Sequence, residues 1–233
     1  MTSRHDLGVT VPWMREGTEH LLRTVDKLDD DAVLAASRLP GWTRAHVIGH
    51  VARNAEALAR LATWARTGVE TPMYTDSAQR AEEIEESASK SPASLRDELT
   101  STADGLAEAL DGLTADQWQA QVRSALGRAI PAAEIPWMRI REVWLHAVDL
   151  GVGASVADLP SGVVDLLLDD VTSALSRKDG CPALTLAPAD RDSTWRLGAG
   201  DAESRITAPA FELAGWLTGR TRHEDWPALP IWL

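Results

Sequence analysis

The sequence predicts two domains, an antiparallel four-helix bundle at residues 1–155 and a smaller α+β domain at residues 156–233. In the first part, apolar residues recur every three or four positions, which is the period of a helix with one buried face. In the second part, short segments alternate apolar and polar residues between Gly, Pro and Asp, which is typical of strands and turns. Four long helices pack most readily as an antiparallel bundle.

The first two predicted helices follow from apolar spacing and from end signals. The buried face of the first helix runs from Met14 to Leu28. The second helix starts after Thr43, whose hydroxyl can cap a helix N-terminus, and ends near Gly68. Its repeating positions include His50, so this histidine is expected on the inward face.

The third and fourth predicted helices each start at a proline. The acidic run AEEIEESASK leads into the third helix, which starts at the pair Ser91-Pro92 and continues to Leu113. The fourth starts at Pro136 and stops at Gly151, because glycine commonly ends a helix. These two helices complete the bundle.

The second part of the chain changes character. A helix is predicted from Val163 to Leu175. Three strand-like segments follow, namely ALTLAP, STWRLGAG and ESRITAPA, and FELAGWLTGR then has the pattern of a last helix. The mixture of helices and short strands defines the predicted α+β domain.

Composition and charge exclude several classes of protein. The chain of 233 residues has a net charge of −12, which argues against nucleic-acid binding because phosphates need a concentrated basic face. No apolar run spans a bilayer, and the N-terminal MTSRHDLG lacks the apolar core of a secretory signal. A single cysteine, Cys181, agrees with a reducing compartment. We expect a cytoplasmic monomer that binds small molecules.

Three residues of the predicted bundle form a candidate metal site. His50 faces inward, and Glu142 and His146 are four residues apart, which places them on one helix face. Two imidazoles and a carboxylate suit zinc, and three protein ligands leave a position open for water or substrate. Other divalent ions fit as well. The alternative is a solvated Glu–His pair beside a hydrogen-bonded core histidine.

Other polar residues near this set have simpler interpretations. His46 lies one turn before His50, and we expect it at the surface or as a partner of a ligand. Arg139 and Arg141 flank the candidate ligands and are expected to be solvated or paired with acidic groups. The ten tryptophans are expected to fill the core and the junction of the two domains. Cys181 is expected to be an inert thiol.

Three long segments carry a resemblance to a known family. LPGWTRAHVIGHVARNAEAL, TGVETPMY and IPWMRIREVWLHAVDLG together resemble the mycothiol-dependent maleylpyruvate isomerases, from the first helix to the closing PIWL. The resemblance implies a DinB-like four-helix bundle with a divalent metal, usually zinc, and a C-terminal domain that closes over the site.

The resemblance also implies roles for individual residues. The metal would be held by His50 from the GWTR segment and by Glu142 and His146 from REVWLH. The family uses an arginine of a Gly-Arg pair for substrate or catalysis, and GWLTGR supplies Arg220, with Arg222 as a near neighbour. The thiol-binding residues are not identified by the resemblance.

The implied reaction is the cis-to-trans isomerisation of maleylpyruvate to fumarylpyruvate in aromatic catabolism through gentisate. A thiolate adds to the alkene, the resulting single bond rotates, and loss of the thiol restores a trans double bond. Mycothiol would supply the thiol, which is compatible with a chain that has only Cys181.

Two other functions share these sequence features. A mycothiol S-transferase acting on other electrophiles would use the same metal ligands, although TGVETPMY favours the isomerase. A non-catalytic metal-binding or regulatory module would need no open coordination position. The assignment of Arg220 favours an enzyme over such a module.

Overall fold

The computed structural model describes residues 3–201 and 204–232. The chain is mostly helical, with short strands, and it divides into a unit at Arg4–Ala154 and a second unit that begins at Ser155. The mixed helical and α+β character agrees with the sequence prediction. None of the described helices is both long enough and apolar enough to cross a membrane.

The first unit contains seven described helices and one small hairpin. The helices are α1 (Leu7–Val25), α2 (Asp30–Leu34), α3 (Arg44–Thr67), α4 (Ser77–Ala88), α5 (Pro92–Asp111), α6 (Ala115–Trp118) and α7 (Ile135–Asp149). The hairpin pairs β1 (Gln121–Arg123) with β2 (Ala129–Pro131) in antiparallel register. A single 3-10 turn, Ala132–Glu134, leads from the hairpin into α7.

The four long helices of the first unit pack through their apolar faces. Helix α3 contacts α5, α4 and α7, and α1 contacts α7 and α5. The central position of α3 explains why it buries more residues than any other described helix, including Val47, Val51 and Leu58. Any polar side chain on its inward faces is therefore held inside the unit.

The predicted helix ends agree with the structure. The Thr43 side chain accepts a hydrogen bond from the His46 backbone N–H, which caps α3, and Gly68 ends the helix with φ of 72°. Because that φ lies in the left-handed region, glycine suits the position. Ser91 caps α5, with Pro92 in its first turn.

The structure corrects two details of the sequence prediction. Helix α1 begins at Leu7, well before Met14, because the Asp6 carboxylate accepts a hydrogen bond from the Gly8 N–H and caps the helix there. The acidic run is itself the helix α4, capped by Asp76. That segment has few apolar residues to bury, so its helical period is weak in the sequence.

The second unit contains two longer helices and a three-stranded sheet. Its elements are α8 (Ser161–Leu175), β3 (Leu184–Leu186), β4 (Trp195–Leu197), β5 (Ser204–Ile206) and α9 (Ala210–Leu217). Strand β3 is central, antiparallel to β4 and parallel to β5. These are the predicted strands and helices, although ESRITAPA begins at Glu203, which lies outside the described residues.

Candidate metal centre

Three side chains from two helices meet inside the first unit. His50 on α3 donates a hydrogen bond from Nε2 to Glu142 Oε2 on α7 over 2.9 Å. His146 Nε2, one turn further along α7, lies 3.2 Å from the same carboxylate oxygen. One potential ligand atom from each residue lies within 4.8 Å of the others. The structure therefore brings together the three residues that the sequence singled out.

The chemistry and placement of these atoms fit a divalent metal. The donors are two imidazole nitrogens and one carboxylate oxygen, which is a set that zinc and similar ions accept. Both Nε2 atoms point at one oxygen, so an ion between the three groups would replace hydrogen bonds that already converge. His50 is buried, whereas Glu142 and His146 are partly exposed, so the set reaches solvent on one side.

A second carboxylate orients one of the imidazoles. His146 Nδ1 donates to Asp149 Oδ2 over 2.9 Å, and Asp149 is buried. This contact leaves Nε2 of His146 directed at Glu142. Histidines that bind metals usually donate their other ring N–H to such a partner, which fixes the ring and its tautomer.

The electrostatic environment differs between the two histidines. Burial lowers the pKa of His50, and the contact with Glu142 only partly offsets this effect. Burial also acts to lower the pKa of His146, but hydrogen bonds to Asp149 and Glu142 outweigh it, so this pKa is raised. For Glu142, burial opposes ionisation, and the contacts with His146 and His50 nevertheless hold its pKa well below the usual range. The carboxylate is therefore ionised at neutral pH.

His46 has a structural role one turn before the triad. Its Nδ1 accepts a hydrogen bond from the Thr43 backbone N–H over 3.2 Å, which completes the capping box of α3. Its Nε2 lies 3.4 Å from Glu85 on α4. Both ring nitrogens of His46 therefore have partners other than the three candidate ligands.

The expectation for Arg139 is wrong. It is not solvated: Arg139 is 1% exposed, and its Nη1 donates to Val51 O over 2.7 Å and to Asn54 Oδ1 over 2.9 Å. Arginine is rarely buried, so the sequence favoured the surface. A signal was nevertheless present, because Arg139 lies three residues before Glu142 and therefore shares its helix face.

Sequence reasoning did not identify two further polar residues near the triad. Arg80 on α4 donates from Nη2 to His50 Nδ1 over 3.3 Å. Tyr74 lies in TGVETPMY, which was noted only for the resemblance, and its ring is 5.8 Å from the guanidinium carbon of Arg60. The contact of Arg80 depends on the packing of α4 against α3, for which one sequence offers no signal.

Arg220 in the second unit has contacts within its own segment. Its Nη1 donates to Thr218 O over 2.7 Å, just after the end of α9, and its backbone N–H donates to Gly215 O. Arg222 is exposed and lines a cavity of about 510 Å³ with Trp216, Trp226 and Trp232. The role of Arg220 toward a substrate stays a prediction.

Cys181 lies in the same unit and agrees with the expectation of an inert thiol. It is a free cysteine of intermediate exposure. Burial raises its pKa, although a backbone hydrogen bond from Gly198 partly opposes this. A smaller fraction of this side chain is thiolate at neutral pH than in an unburied cysteine.

Known proteins resemble the chain in sequence and in structure. Residues 14–151 match the family model of the mycothiol maleylpyruvate isomerase N-terminal domain. A crystal structure of the mycothiol-dependent maleylpyruvate isomerase is 34% identical with a TM-score of 0.94, and the match covers 100% of both chains. A histidine-to-alanine mutant of that isomerase matches at 34% identity and a TM-score of 0.93, again over 100% of both chains. No curated protein sequence matches the chain significantly.

Proposed function

Because the chain belongs to the mycothiol maleylpyruvate isomerase family, we propose that it converts maleylpyruvate to fumarylpyruvate with mycothiol as the thiol cofactor. The observation that carries this proposal is the convergence of His50, Glu142 and His146 inside the first unit. The full-length likeness to the isomerase structures supports it further. The reaction would serve aromatic catabolism in the cytoplasm.

The proposal includes the finer architecture of the first unit. We propose that α1, α3, α5 and α7 form a DinB-like four-helix bundle, because these are its long helices and each packs against two of the others. Sites in such bundles are built from side chains on facing helices. The triad has this arrangement, since His50 lies on α3 and its two partners lie on α7.

The proposed cofactor of the triad is a divalent metal, with zinc as the first candidate. His50, Glu142 and His146 would hold it, and three protein ligands are typical of catalytic zinc sites. When bound, the metal supplies Lewis acidity, which favours the ionised form of a thiol or polarises a substrate oxygen. The fold holds the three ligands in place. Asp149 accepts a hydrogen bond from His146 Nδ1 and so directs Nε2 of that ring toward the metal position.

The proposed isomerisation needs no redox chemistry. The thiolate of mycothiol forms a C–S bond to an alkene carbon conjugated with a carbonyl, and the electron pair of the double bond moves onto the carbonyl oxygen. The former double bond then rotates as a single bond. Return of the electrons expels the thiolate and leaves the trans alkene, so thiol and protein are regenerated.

The chain's own groups would bind and orient the reactants. We assign to Arg220 the binding of a carboxylate or of the enolate oxygen, since a guanidinium offers two parallel donors. Holding thiol and alkene in register can supply roughly 7–11 kcal/mol of the barrier reduction. Ionising a thiol with a pKa of about 8.5 supplies only about 2 kcal/mol. Orientation is therefore expected to contribute more than ionisation.

The direct test of this function is maleylpyruvate isomerisation by purified, zinc-loaded protein. Parallel reactions contain mycothiol, no thiol, or glutathione. Turnover that requires mycothiol supports the isomerase. Conjugation of mycothiol to other electrophiles without isomerisation would favour an S-transferase over the isomerase. The absence of a reaction with any electrophile would favour a regulatory metal-binding module.

A further inference from the structure

Two arginines near the triad form no hydrogen bond or close ion pair with a carboxylate among the described residues. Arg80 is contacted by an imidazole, and Arg139 by a backbone carbonyl and an amide oxygen. Such guanidinium groups are unusual in a chain with a net charge of −12, where carboxylates outnumber basic side chains. Arginine that is not paired with protein carboxylates is suited to bind an anionic ligand.

Arg80 lies directly beside a candidate metal ligand. Its Nη2 is 3.3 Å from His50 Nδ1, and the residue is half-buried on α4. One of its five N–H groups is used in that contact, and the guanidinium also forms a hydrogen bond with the Tyr74 side chain. The other donors can form a bidentate pair with a carboxylate held next to the triad.

Arg139 places a buried positive charge one helical turn from the ligands. It precedes Glu142 by three residues on α7, and its partner Asn54 follows His50 by four residues on α3. Its Nε and Nη2 atoms are buried and have no hydrogen-bond partner among the described residues. Burial lowers its pKa only to about 10, so Arg139 is charged at neutral pH. A buried guanidinium with two unused donors is costly, and a nearby anionic ligand would offset that cost.

Tyr74 lies among these charged groups. Its ring is 5.8 Å from the Arg60 guanidinium carbon, and its phenol interacts electrostatically with Arg80, Arg139 and Glu142. Burial raises its pKa, so the phenol stays protonated at neutral pH and can donate a hydrogen bond. It is the only tyrosine of the chain.

We infer that Arg80, Tyr74 and Arg139 form a carboxylate-binding subsite beside the triad. Arg80 and Tyr74 bind one carboxylate of a dicarboxylate ligand, and Arg139 is a positioning residue whose buried charge favours the anion. The identity of the substrate as a dianion rests on the proposed function. The subsite belongs wholly to the first unit and is separate from the carboxylate role assigned to Arg220.

The test measures binding of a simple dicarboxylate to the zinc-loaded protein. Maleate is the probe, acrylate is the monocarboxylate control, and calorimetry gives the two dissociation constants. We expect tighter binding of maleate to the unsubstituted protein. Arg80→Met should weaken maleate binding about tenfold or more, because it removes charge-assisted hydrogen bonds to one carboxylate, and should reduce the preference for maleate over acrylate. Metal content is measured in every sample.

A matched variant controls for the loss of charge alone. Arg23 lies on the exposed face of α1, where it pairs with Glu19, so Arg23→Met makes the same chemical change away from the triad. We expect this variant to bind maleate like the unsubstituted protein. Equal weakening in Arg23→Met and Arg80→Met would overturn the inference.

Conservative variants separate binding from structure. Tyr74→Phe removes only the hydroxyl, and we expect weaker maleate binding with unchanged zinc content. Arg139→Met should weaken maleate several-fold, whereas Arg139→Lys, which keeps the charge, should recover part of the affinity. Equal effects of Met and Lys at Arg139 would assign it a packing role and remove it from the subsite.

The outcomes distinguish this inference from the proposed function. No binding of maleate, or an unchanged maleate affinity in zinc-loaded Arg80→Met, would overturn the subsite even if isomerisation were observed. Arg80-dependent selection of maleate in a protein that does not isomerise maleylpyruvate would support the subsite and refute the function.

Discussion

The triad in the first unit and Arg220 in the second unit differ in the observations that support their assignment. His50 and Glu142 are far apart in the sequence, yet their side chains meet at 2.9 Å inside the unit. The contact described for Arg220 is a local one, in which its Nη1 donates to Thr218 O just after the end of α9. Convergence of chemically active groups from different helices needs the whole fold and is itself evidence for a site.

This difference sets how strongly each assignment is supported. The geometry of the triad supports a metal site before any comparison with known proteins is made. The assignment of Arg220 rests on the Gly-Arg pair in GWLTGR, and Arg222 follows two residues later. Substitutions should therefore test metal binding by the triad separately from the proposed role of Arg220 in turnover.

The largest effect is expected from His50→Ala. This variant removes an imidazole that is almost fully buried, so we expect loss of the bound metal and of isomerisation. His46→Ala is the matched control, because His46 lies one turn earlier on α3 and contacts the helix N-terminus instead. Metal content is measured by atomic spectroscopy after circular dichroism has confirmed folding. Full metal occupancy in His50→Ala would refute its role as a ligand.

Arg220→Ala should affect turnover without affecting the metal. Loss of a donor to developing negative charge costs roughly 100-fold in kcat in other enzymes, and we expect a decrease of that order. Arg222→Ala removes a neighbouring exposed arginine and should keep nearly full activity. If Arg222→Ala caused the loss and Arg220→Ala did not, the residue carried over from the family would be the wrong one of the two.

Asp149→Asn should have an intermediate effect. The amide can still contact His146, but it lacks the charge that raises the pKa of that histidine. Partners of metal-bound histidines typically contribute about 10–100-fold in metal affinity, so we expect weaker zinc binding in that range. Competition with a chelator of known affinity measures the change. An unchanged affinity would show that Asp149 does not support the metal.

Cys181→Ser should have the smallest effect. The account assigns the nucleophile to mycothiol, and burial raises the pKa of this thiol, so the substitution should leave kcat and KM for maleylpyruvate unchanged. Because its pKa is raised, we expect iodoacetamide to modify Cys181 at pH 8 more slowly than a cysteine that is fully exposed to solvent. A large loss of turnover in Cys181→Ser would indicate that the nucleophile is the Cys181 thiol and not the thiol of mycothiol.

The elements that the sequence predicts well are those with strong local signals. Helix α3 has a capping threonine, a continuous apolar period and a terminal glycine, and its bounds agree with the prediction. The shared face of Glu142 and His146 follows from local geometry, because residues four apart lie on one side of a helix. Their meeting with His50 depends on the packing of α3 against α7. Helix α4 was not predicted, since only Ile84 and Ser87 on it are buried.

The charged groups around the triad depend on tertiary packing. Arg80 reaches His50 only because α4 packs against α3, and no spacing in the sequence reports that contact. Arg139 was expected in solvent because buried arginine is rare. Arg139 and Glu142 are three residues apart and share one face of α7, which indicated burial. The general rarity of buried arginine outweighed this indication. Burial of ionisable groups is therefore the part of the site that sequence reasoning captures least.

The most direct test of the account is removal and return of the metal. Mycothiol-dependent isomerisation of maleylpyruvate is measured in protein as purified, after chelation, and after addition of one equivalent of zinc, with folding monitored by circular dichroism. Chelation is expected to abolish turnover in a folded protein, and added zinc is expected to restore it. Full turnover by folded, metal-free protein would contradict the central claim that the triad acts through a bound metal.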